Sequence, residues 1–149
     1  MRILIISDTH GDTEKLKEVC LKHKNIDLIL HAGDSQLPPY LTENILTVKG
    51  NCDYYDYPNS RDLNIEGYKI HIEHGHRIHI SESMFLDNND YDIVIFGHTH
   101  TLKTFKNVNG KHFFNPGSLT RPRDADKGSY IILNLSKTEF SFEIHRIEL

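Results

Sequence analysis

Long apolar runs and a cysteine framework are both missing from this sequence of 149 residues. The two cysteines, Cys20 and Cys52, are too few for a set of disulfides and indicate reduced thiols. The apolar run at residues 1–6 is too short for a signal peptide, and no later stretch approaches the roughly 20 apolar residues that a membrane helix needs. We therefore predict a soluble, cytoplasmic protein with no membrane partner.

An excess of basic charge is missing as well. The formal net charge is -4, and no block of lysines or arginines occurs. The sequence therefore lacks the electrostatic pattern of a dedicated nucleic-acid-binding surface, although it is compatible with a nucleotide-sized substrate. The length is typical of one domain with a sizeable core, and we predict a single domain over residues 1–149.

Histidine, in contrast, is abundant, because the chain contains 11. Two of them follow an apolar stretch at residues 93–96, in the motif Gly97-His98-Thr99-His100. On an extended backbone, residues two apart project to the same side, so His98 and His100 are expected to converge on one metal ion or on two adjacent ions. Structural roles are the default for the histidines within helix or strand patterns, which are His23, His31, His71, His79, His112 and His145.

Strands alternate with helices in the first half of the chain. Buried strands are predicted at residues 2–6, 27–31 and 45–48, and Asp12 is expected to cap a helix between the first two. One face of that helix would carry Leu16, Val19, Cys20 and His23. This alternation indicates βαβ units and an initially parallel sheet.

The second half of the chain is richer in strands. Two hairpin-turn signals, Glu66-Gly67 and Asn109-Gly110, each separate a pair of predicted strands. A short helix is predicted at residues 81–88, and Asn115-Pro116-Gly117-Ser118 is predicted to begin an irregular, exposed loop. The whole pattern indicates two packed β-sheets with helices outside them.

Side chains that commonly bind metal ions follow five of the apolar strands. They are Asp8 and His10, Asp34, Asn51, His74, and His98 with His100. Loops at the carboxyl ends of strands gather at one edge of an open α/β sheet, so these side chains would surround one small volume. Neutral imidazole suits zinc, iron, nickel or manganese, and carboxylate or amide oxygens suit manganese or magnesium. Seven ligands are too many for one tetrahedral zinc and suit two ions that share one carboxylate.

The order of these motifs resembles that of the calcineurin-like metallophosphoesterases. The motifs are Asp8-x-His10, Gly33-Asp34, Gly50-Asn51-Cys52-Asp53, His74-Gly75-His76 and Gly97-His98-Thr99-His100. The later Asn115-Pro116-Gly117-Ser118, with Pro122-Arg123 and Ser129-Tyr130, is similar to the small single-domain branch of YfcE-like phosphodiesterases. The resemblance covers nearly the whole chain and implies an α/β fold, a four-layer αββα sandwich of two mixed β-sheets flanked by helices, with a dinuclear metal site.

The resemblance also implies the ligands of each ion. Asp8, His10 and His100 would hold the first ion, Asn51, His74 and His98 the second, and Asp34 would bridge the two. Manganese is favoured, with nickel, iron, zinc and magnesium as the other candidates. Two divalent ions roughly 3.5–4 Å apart lower the pKa of a bridging water, so that hydroxide attacks the phosphorus of a small phosphodiester or nucleotide-like substrate.

Further candidates lie next to the ligand motifs. Many larger members of the superfamily carry histidine where this chain has Cys52, and a thiol donates hydrogen bonds weakly, which suggests diesters whose leaving groups need little protonation. His76 either orients a loop or contacts the substrate. Arg121 and Arg123 either bind a phosphate through charge-assisted hydrogen bonds or are simply solvated. The predicted catalytic set is therefore Asp34, Asn51, Cys52 and His76.

Several alternatives stay open at this point. Asp53 is a candidate partner of a metal ligand, and Tyr54-Tyr55-Asp56-Tyr57 would either face an aromatic substrate group or pack as a surface loop. The protein would alternatively be a phosphomonoesterase or nucleotidase of the same fold, or a non-catalytic interaction module like the retromer subunit Vps29. Complete ligand positions favour an enzyme over such a module. A homo-oligomer is also compatible with the sequence.

Overall fold

Two five-stranded β-sheets form the framework of the protein. The structure is a computed structural model and describes residues 1–77 and 90–149. Within those residues, no helix has the length and apolar character needed to cross a membrane. In chain order the elements are β1 (Arg2–Ile6), α1 (Thr13–Lys22), β2 (Leu28–His31), a 3-10 turn (Pro39–Leu41), β3 (Ile45–Thr47), β4 (Ser60–Ile65), β5 (Tyr68–Glu73), β6 (Ile93–Ile95), β7 (Leu102–Lys106), β8 (His112–Pro116), β9 (Gly128–Leu135) and β10 (Phe140–Ile147).

The first sheet has the strand order β10-β9-β1-β2-β3. β2 pairs in parallel with both β1 and β3, and α1 connects β1 to β2. This arrangement confirms the predicted βαβ start of the chain. β9 and β10 add antiparallel pairs, so the sheet is mixed. Because parallel neighbours end at the same edge, the loops that follow β1, β2 and β3 lie side by side.

The second sheet has the strand order β4-β5-β6-β8-β7 and is also mixed. β6 pairs in parallel with β5 and β8, whereas the two edge strands pair antiparallel with their neighbours. The predicted hairpin at Glu66-Gly67 is present, with φ of 53° and 87° at its two turn residues. Positive φ at both positions matches the turn type that suits the twist of paired strands.

The main core lies between the two sheets. Ile3 and Ile5 of β1 point into it and are fully buried, together with Ile72 of β5 and Ile95 of β6. Since side chains alternate along a strand, Leu4 and its neighbours on the other side of β1 face a second apolar cluster beneath α1. The central strand is therefore buried on both faces, and each fully buried aliphatic side chain stabilises the fold by roughly 1.5–3 kcal/mol.

The helix α1 covers the outer face of the first sheet. Asp12 caps its first turn, as predicted, and Leu16 and Val19 are buried against the sheet. The helix ends one residue before His23, so the prediction that His23 belongs to its apolar face is wrong. The ring of His23 instead contacts the hydroxyl of Tyr130 at 2.8 Å. The predicted helix at residues 81–88, on which the fourth layer depends, lies outside the described residues.

The segment Asn115-Pro116-Gly117-Ser118 departs from its prediction as an exposed loop. β8 continues through Pro116, and the side chains of Asn115 and Ser118 are fully buried. The Asn115 amide donates to the carbonyl of Gly97 at 3.1 Å, and the Ser118 hydroxyl donates to the carbonyl of Asp8 at 2.8 Å. Turn-forming residue types indicated a loop, but their polar side chains hold the backbone of the neighbouring strand-end loops.

Candidate metal centre

The loops after β1, β2, β3, β5 and β6 converge, and they carry all of the predicted metal ligands. Backbone hydrogen bonds join neighbouring loops, from Asp8 to Gly33 and from Gly97 to His74, both at 3.0 Å. The backbone N–H of His98 donates to Oδ2 of Asp8 at 3.2 Å and so connects a loop of the second sheet to one of the first. The strand-end placement that the sequence predicts therefore produces one common site.

Asp8 lies at the bottom of this site and is fully buried. Its Oδ2 accepts a hydrogen bond from the Ser7 hydroxyl at 2.6 Å. Its Oδ1 has no hydrogen-bond partner, although it lies 3.2 Å from Nε2 of His100 and 3.8 Å from Nε2 of both His10 and His74. A buried carboxylate oxygen without a donor is costly unless a cation approaches it.

Three of the histidines share one orientation. Each has Nδ1 within hydrogen-bond distance of an oxygen that only accepts, which fixes the proton of the neutral ring on Nδ1 and leaves Nε2 as a lone pair. The pairs are His10 with Oε1 of Gln36 at 2.6 Å, His74 with the carbonyl of Ala32 at 2.7 Å, and His100 with the carbonyl of Arg121 at 2.7 Å. The Nε2 atoms of His10 and His100 face each other at 3.3 Å.

The other ligand candidates form the opposite side of the site. Oδ1 of Asn51 lies 3.0 Å from Nε2 of His74 and 3.2 Å from Nδ1 of His98. Oδ2 of Asp34 also lies 3.2 Å from Nε2 of His74, while its Oδ1 accepts the backbone N–H of Cys52 at 2.8 Å. At His74, a carboxylate and an amide oxygen thus face a nitrogen that lacks a proton in the neutral ring.

This donor set fits divalent cations. Lone pairs of nitrogen and oxygen point at one another, and a positive ion between them would satisfy them together. Ligand atoms within 4.8 Å of one another occur in the groups Asp8, His10, His100 and Asp8, Asp34, His74, and also in a third group, His10, Asp34, Cys52. The carboxylate of Asp34 therefore lies within reach of residues on both sides of the site.

The charges of the site shift the pKa values of its members. Burial raises the pKa of Asp34, but hydrogen bonding and charge at His74 outweigh burial and bring it to about 2. At His74, burial lowers the pKa, but the carboxylates of Asp34 and Asp8 outweigh burial, so the pKa of His74 is raised overall. The carboxylate of Asp8, 3.2 Å away, raises the pKa of His100. The same negative charges would attract a cation, so protons and metal ions compete for this place.

The backbone of the ligand loops is left-handed at several positions. A non-glycine residue at positive φ costs roughly 1–2 kcal/mol and persists only where surrounding contacts impose it. β6 ends at Ile95, so the expectation that an extended backbone brings His98 and His100 together is wrong, although both histidines reach the site. The ligand candidates with positive φ are Asp8 at 54°, His10 at 48°, Asp34 at 57°, His98 at 71° and His100 at 57°.

Two glycines allow the loops to approach this closely. A Cβ atom on Gly50 would lie 2.0 Å from Oδ1 of Asp34. A Cβ atom on Gly97 would lie 2.1 Å from the Ser7 hydroxyl and 2.8 Å from Oδ2 of Asp8. Real side chains do not make such contacts, so each glycine keeps space open for a predicted metal ligand.

Asp53 joins two of the ligand loops. Its Oδ2 accepts the backbone N–H groups of Asp34 at 2.9 Å and Gly50 at 2.7 Å, and its Oδ1 accepts that of Gln36 at 2.8 Å. The sequence predicted Asp53 as a candidate partner of a ligand. In the structure it holds the backbone of the ligand candidate Asp34 rather than the side chain of a candidate.

Other supporting residues have no signal in the sequence. Ser7 and Gln36 orient Asp8 and His10, but an isolated serine or glutamine in a polar turn predicts no such role. His31 is buried, and burial lowers its pKa to about 4. Its Nδ1 accepts the Gly33 N–H at 3.1 Å, so its neutral ring connects the backbone of one ligand loop to the Thr9 hydroxyl of another.

A cavity of about 390 Å³ opens over the ligand set. The structure brings three of the further candidates, Cys52, Arg121 and Arg123, to its wall. His76 is not in the wall, and its ring centre lies 5.4 Å from that of His74 and 6.2 Å from that of His98. The lining residues are His10, Asp34, Asn51, Cys52, His98, His100, Arg121 and Arg123.

The aromatic segment after Asn51 lies outside this wall. Tyr54 is 89% exposed and packs edge-on against Tyr55, with ring centres 5.6 Å apart. The hydroxyl of Tyr57 donates to the carbonyl of Leu37 at 2.7 Å. The segment therefore forms a packed surface loop, which was one of its two predicted roles.

Comparisons with known proteins identify the family of the chain. Residues 1–138 match the calcineurin-like phosphoesterase superfamily domain. YsnB of Bacillus subtilis, a probable metallophosphoesterase, is 37% identical over 145 residues, which cover 91% of this chain and 85% of the relative. The family match over residues 1–138 includes every loop of the candidate centre.

Solved structures show the same fold. A predicted phosphoesterase from Streptococcus pneumoniae has a TM-score of 0.85 and 29% identity, with coverage of 97% of this chain and 88% of that one. Vps29 from Entamoeba histolytica, solved in complex with zinc, has a TM-score of 0.76 and 24% identity, with coverage of 99% and 98%. These neighbours confirm the predicted metallophosphoesterase-like fold.

Proposed function

The chain belongs to the calcineurin-like phosphoesterase superfamily, and within that family of metal-dependent phosphoester hydrolases we propose that it hydrolyses small phosphodiesters. The proposal has two parts, a centre that holds two divalent ions and a preference for diesters over monoesters. Manganese is the proposed native metal, because it accepts both imidazole nitrogens and carboxylate oxygens.

The observation that carries the first part is the mutual orientation of lone pairs. Oδ1 of Asp8 has no donor, and the Nε2 atoms of His10 and His100 face each other at 3.3 Å. We assign Asp8, His10 and His100 to one ion and Asn51, His74 and His98 to the other. Asp34 is assigned as the bridge, which its place within 4.8 Å of ligand atoms on both sides supports.

The chain's own residues fix the geometry in which hydrolysis would occur. When bound, two divalent ions would lower the pKa of a water molecule and neutralise charge on the phosphoryl oxygens. Carbonyl and amide oxygens behind His10, His74 and His100 keep these rings from rotating, so that their Nε2 atoms stay directed into the site. No serine, threonine or cysteine nucleophile is required.

The second part of the proposal depends on Cys52. Its side chain is exposed and lines the cavity. A thiol is a weak hydrogen-bond donor and protonates a leaving group poorly. We therefore propose a preference for diesters whose leaving alcohols are already acidic.

A hydrolysis panel on the manganese-loaded chain tests the diester preference. Bis(p-nitrophenyl) phosphate is expected to exceed p-nitrophenyl phosphate in kcat/KM by about tenfold or more. An Asp8→Asn variant, purified identically, reports contaminating phosphatases. Faster monoester hydrolysis would support a phosphomonoesterase or nucleotidase instead, and a metal-loaded chain without turnover would support an interaction module of the Vps29 kind.

A Cys52→His variant tests the role of the thiol separately. With aryl diesters of graded leaving-group pKa, the variant is expected to depend less steeply on that pKa than the wild type, because imidazolium donates a proton readily. Metal content measured on both proteins serves as the control. The role of Cys52 is refuted by identical slopes at equal metal content.

A further inference from the structure

Two arginines form part of the cavity wall, and no acidic side chain in the described part of the chain pairs with them. Arg121 and Arg123 both line the cavity, and both are exposed. Over residues 1–77 and 90–149, neither guanidinium makes an ion pair or a side-chain hydrogen bond. Unpaired cations on a cavity wall are available to a ligand.

The nearest carboxylate in the sequence is occupied elsewhere. Asp124 follows Arg123 directly, but its two oxygens accept the guanidinium of Arg146 at 3.2 and 3.0 Å. Oδ2 of Asp124 also accepts the backbone N–H of Leu102 at 3.0 Å. The carboxylate of Asp124 therefore pairs with Arg146 and not with Arg123.

The backbone of both arginines is fixed to the metal centre. The carbonyl of Arg121 accepts Nδ1–H of His100 at 2.7 Å, and the N–H of Arg123 donates to the carbonyl of His100 at 2.9 Å. The N–H of Arg121 also donates to the buried Ser118 hydroxyl at 2.8 Å. Rigid attachment on both sides of His100 places two guanidinium groups beside the proposed reaction site rather than on a free loop.

We propose that Arg121 and Arg123 form a subsite for a second phosphate, so that the preferred substrate is a diester with a further phosphate on one of its alcohols. This inference rests on the proposed function. A guanidinium fork matches the oxygens of a phosphate group and binds them by paired charge-assisted hydrogen bonds. The scissile phosphate is the group that the metal ligands would engage, which leaves the arginine pair for an additional anion.

Paired substrates that differ only in the second anion test the subsite. The pair is p-nitrophenyl phenyl phosphate and p-nitrophenyl 4-phosphonophenyl phosphate, in which the leaving group is identical and the phosphonate cannot be hydrolysed. The wild type is expected to prefer the phosphonate by about tenfold or more in kcat/KM. The Arg121→Gln/Arg123→Gln double variant is expected to reduce that ratio to near one.

Two further variants separate charge from geometry. Lys137→Gln removes one positive charge at an exposed position beyond the end of β9, at the edge of the sheet opposite the ligand loops, and is expected to keep the wild-type ratio. Arg121→Lys/Arg123→Lys keeps both charges but loses the paired hydrogen bonds, and is expected to give an intermediate ratio. A ratio near one in the wild type, or a ratio that the glutamine variants leave unchanged, would overturn the subsite.

A binding experiment keeps this test independent of turnover. The manganese-loaded chain is titrated calorimetrically with benzylphosphonate and with p-xylylenediphosphonate. The ratio of the two dissociation constants measures the contribution of the second anion to binding. Tighter binding of the diphosphonate, lost in the glutamine variants, would support the subsite even if no diester is hydrolysed. Hydrolysis of both diesters with equal binding of both phosphonates would refute the subsite and leave the proposed function intact.

Discussion

Two groups of histidines and carboxylates, one buried and one at the surface around the buried His71 and Glu73, differ in whether their hydrogen bonds are complete. One is the candidate metal centre. The other, the outer-face cluster, consists of His71 with Asp62, Glu73 and Tyr91 on the second sheet. Nδ1 of His71 lies 2.6 Å from Asp62 and Nε2 lies 2.8 Å from Glu73, and the Tyr91 hydroxyl donates to Asp62 at 3.0 Å.

In the outer-face cluster one proton completes the pairing. A doubly protonated imidazole donates to both carboxylates at once, and no lone pair is left facing another. In the metal centre, the Nδ1 atoms of His10, His74 and His100 already donate to neutral oxygens. Their Nε2 atoms, which point into the site, lie next to carboxylate oxygens or next to each other. We infer that a candidate cation site is distinguished from a structural cluster by lone pairs that lack donors, rather than by its number of histidines.

The largest expected effect is that of Asp34→Asn. The substitution removes the negative charge assigned to both ions, so metal content and turnover should fall together, turnover by at least about a hundredfold. Metal analysis and diester hydrolysis measure the two quantities. The matched variant Asp62→Asn in the outer-face cluster is expected to keep its metal. Near-normal activity with full metal occupancy in Asp34→Asn would contradict the bridging assignment.

Chelation of the wild-type protein is expected to affect the candidate metal centre but not the outer-face cluster. Removal of bound ions exposes the unbalanced lone pairs of the centre and is expected to abolish hydrolysis and to lower the melting temperature by about 5–15 °C. Added manganese or nickel should restore both. The same treatment of Asp34→Asn should move its melting temperature little. Hydrolysis that survives exhaustive chelation would remove the metal-dependent mechanism.

Much of this centre was predictable from the sequence, because ligand-type residues follow buried β-branched runs. Runs such as residues 93–96 identify strand ends, and parallel strand ends meet at one edge. Asp8, Asp34 and His98 were therefore located from sequence position alone.

The rest depends on contacts that are distant in sequence. The left-handed backbone of Asp8 and Asp34 is held by hydrogen bonds to Gly33 and Asp53, which no local pattern encodes. For the same reason, the buried role of Asn115 was missed, since its partner Gly97 is 18 residues away. The outer-face cluster could not be predicted either, because nothing in the sequence around His71 indicates that Asp62 lies beside it in the fold.

A smaller effect is expected for His98→Ala. His98 is only partly buried, and its Nδ1 faces Asn51 at 3.2 Å without the support that the carbonyl of Arg121 gives to His100. The variant should lose mainly the ion assigned to Asn51 and His74, and so retain about one ion per chain. Metal-to-protein ratios measure this, with His112→Ala as a histidine control outside the centre. Two ions per chain in His98→Ala would refute the assignment.

The smallest effect on catalysis is expected for His71→Gln, which should instead lower the free energy of unfolding by about 2 kcal/mol. Glu73 is 7% exposed and would lose a hydrogen bond from a charged donor. Chemical denaturation measures the loss, and metal content should not change. His145→Gln removes a partner of Glu143 on a more exposed strand and should have an effect below about 0.5 kcal/mol.

The pH dependence of His71→Gln sharpens the contrast between the clusters. Burial lowers the pKa of His71, but hydrogen bonds and charge from Glu73 and Asp62 outweigh it and raise the pKa above its ordinary value. A raised pKa stabilises the fold fully below the unfolded value of about 6.5, and this stabilisation is lost as pH rises through the folded value. The gap in unfolding free energy between wild type and His71→Gln should therefore be larger at pH 6 than at pH 9. If the difference in unfolding free energy increased with pH instead, the ring of His71 would be neutral in the fold. It would then donate to only one of its two carboxylates.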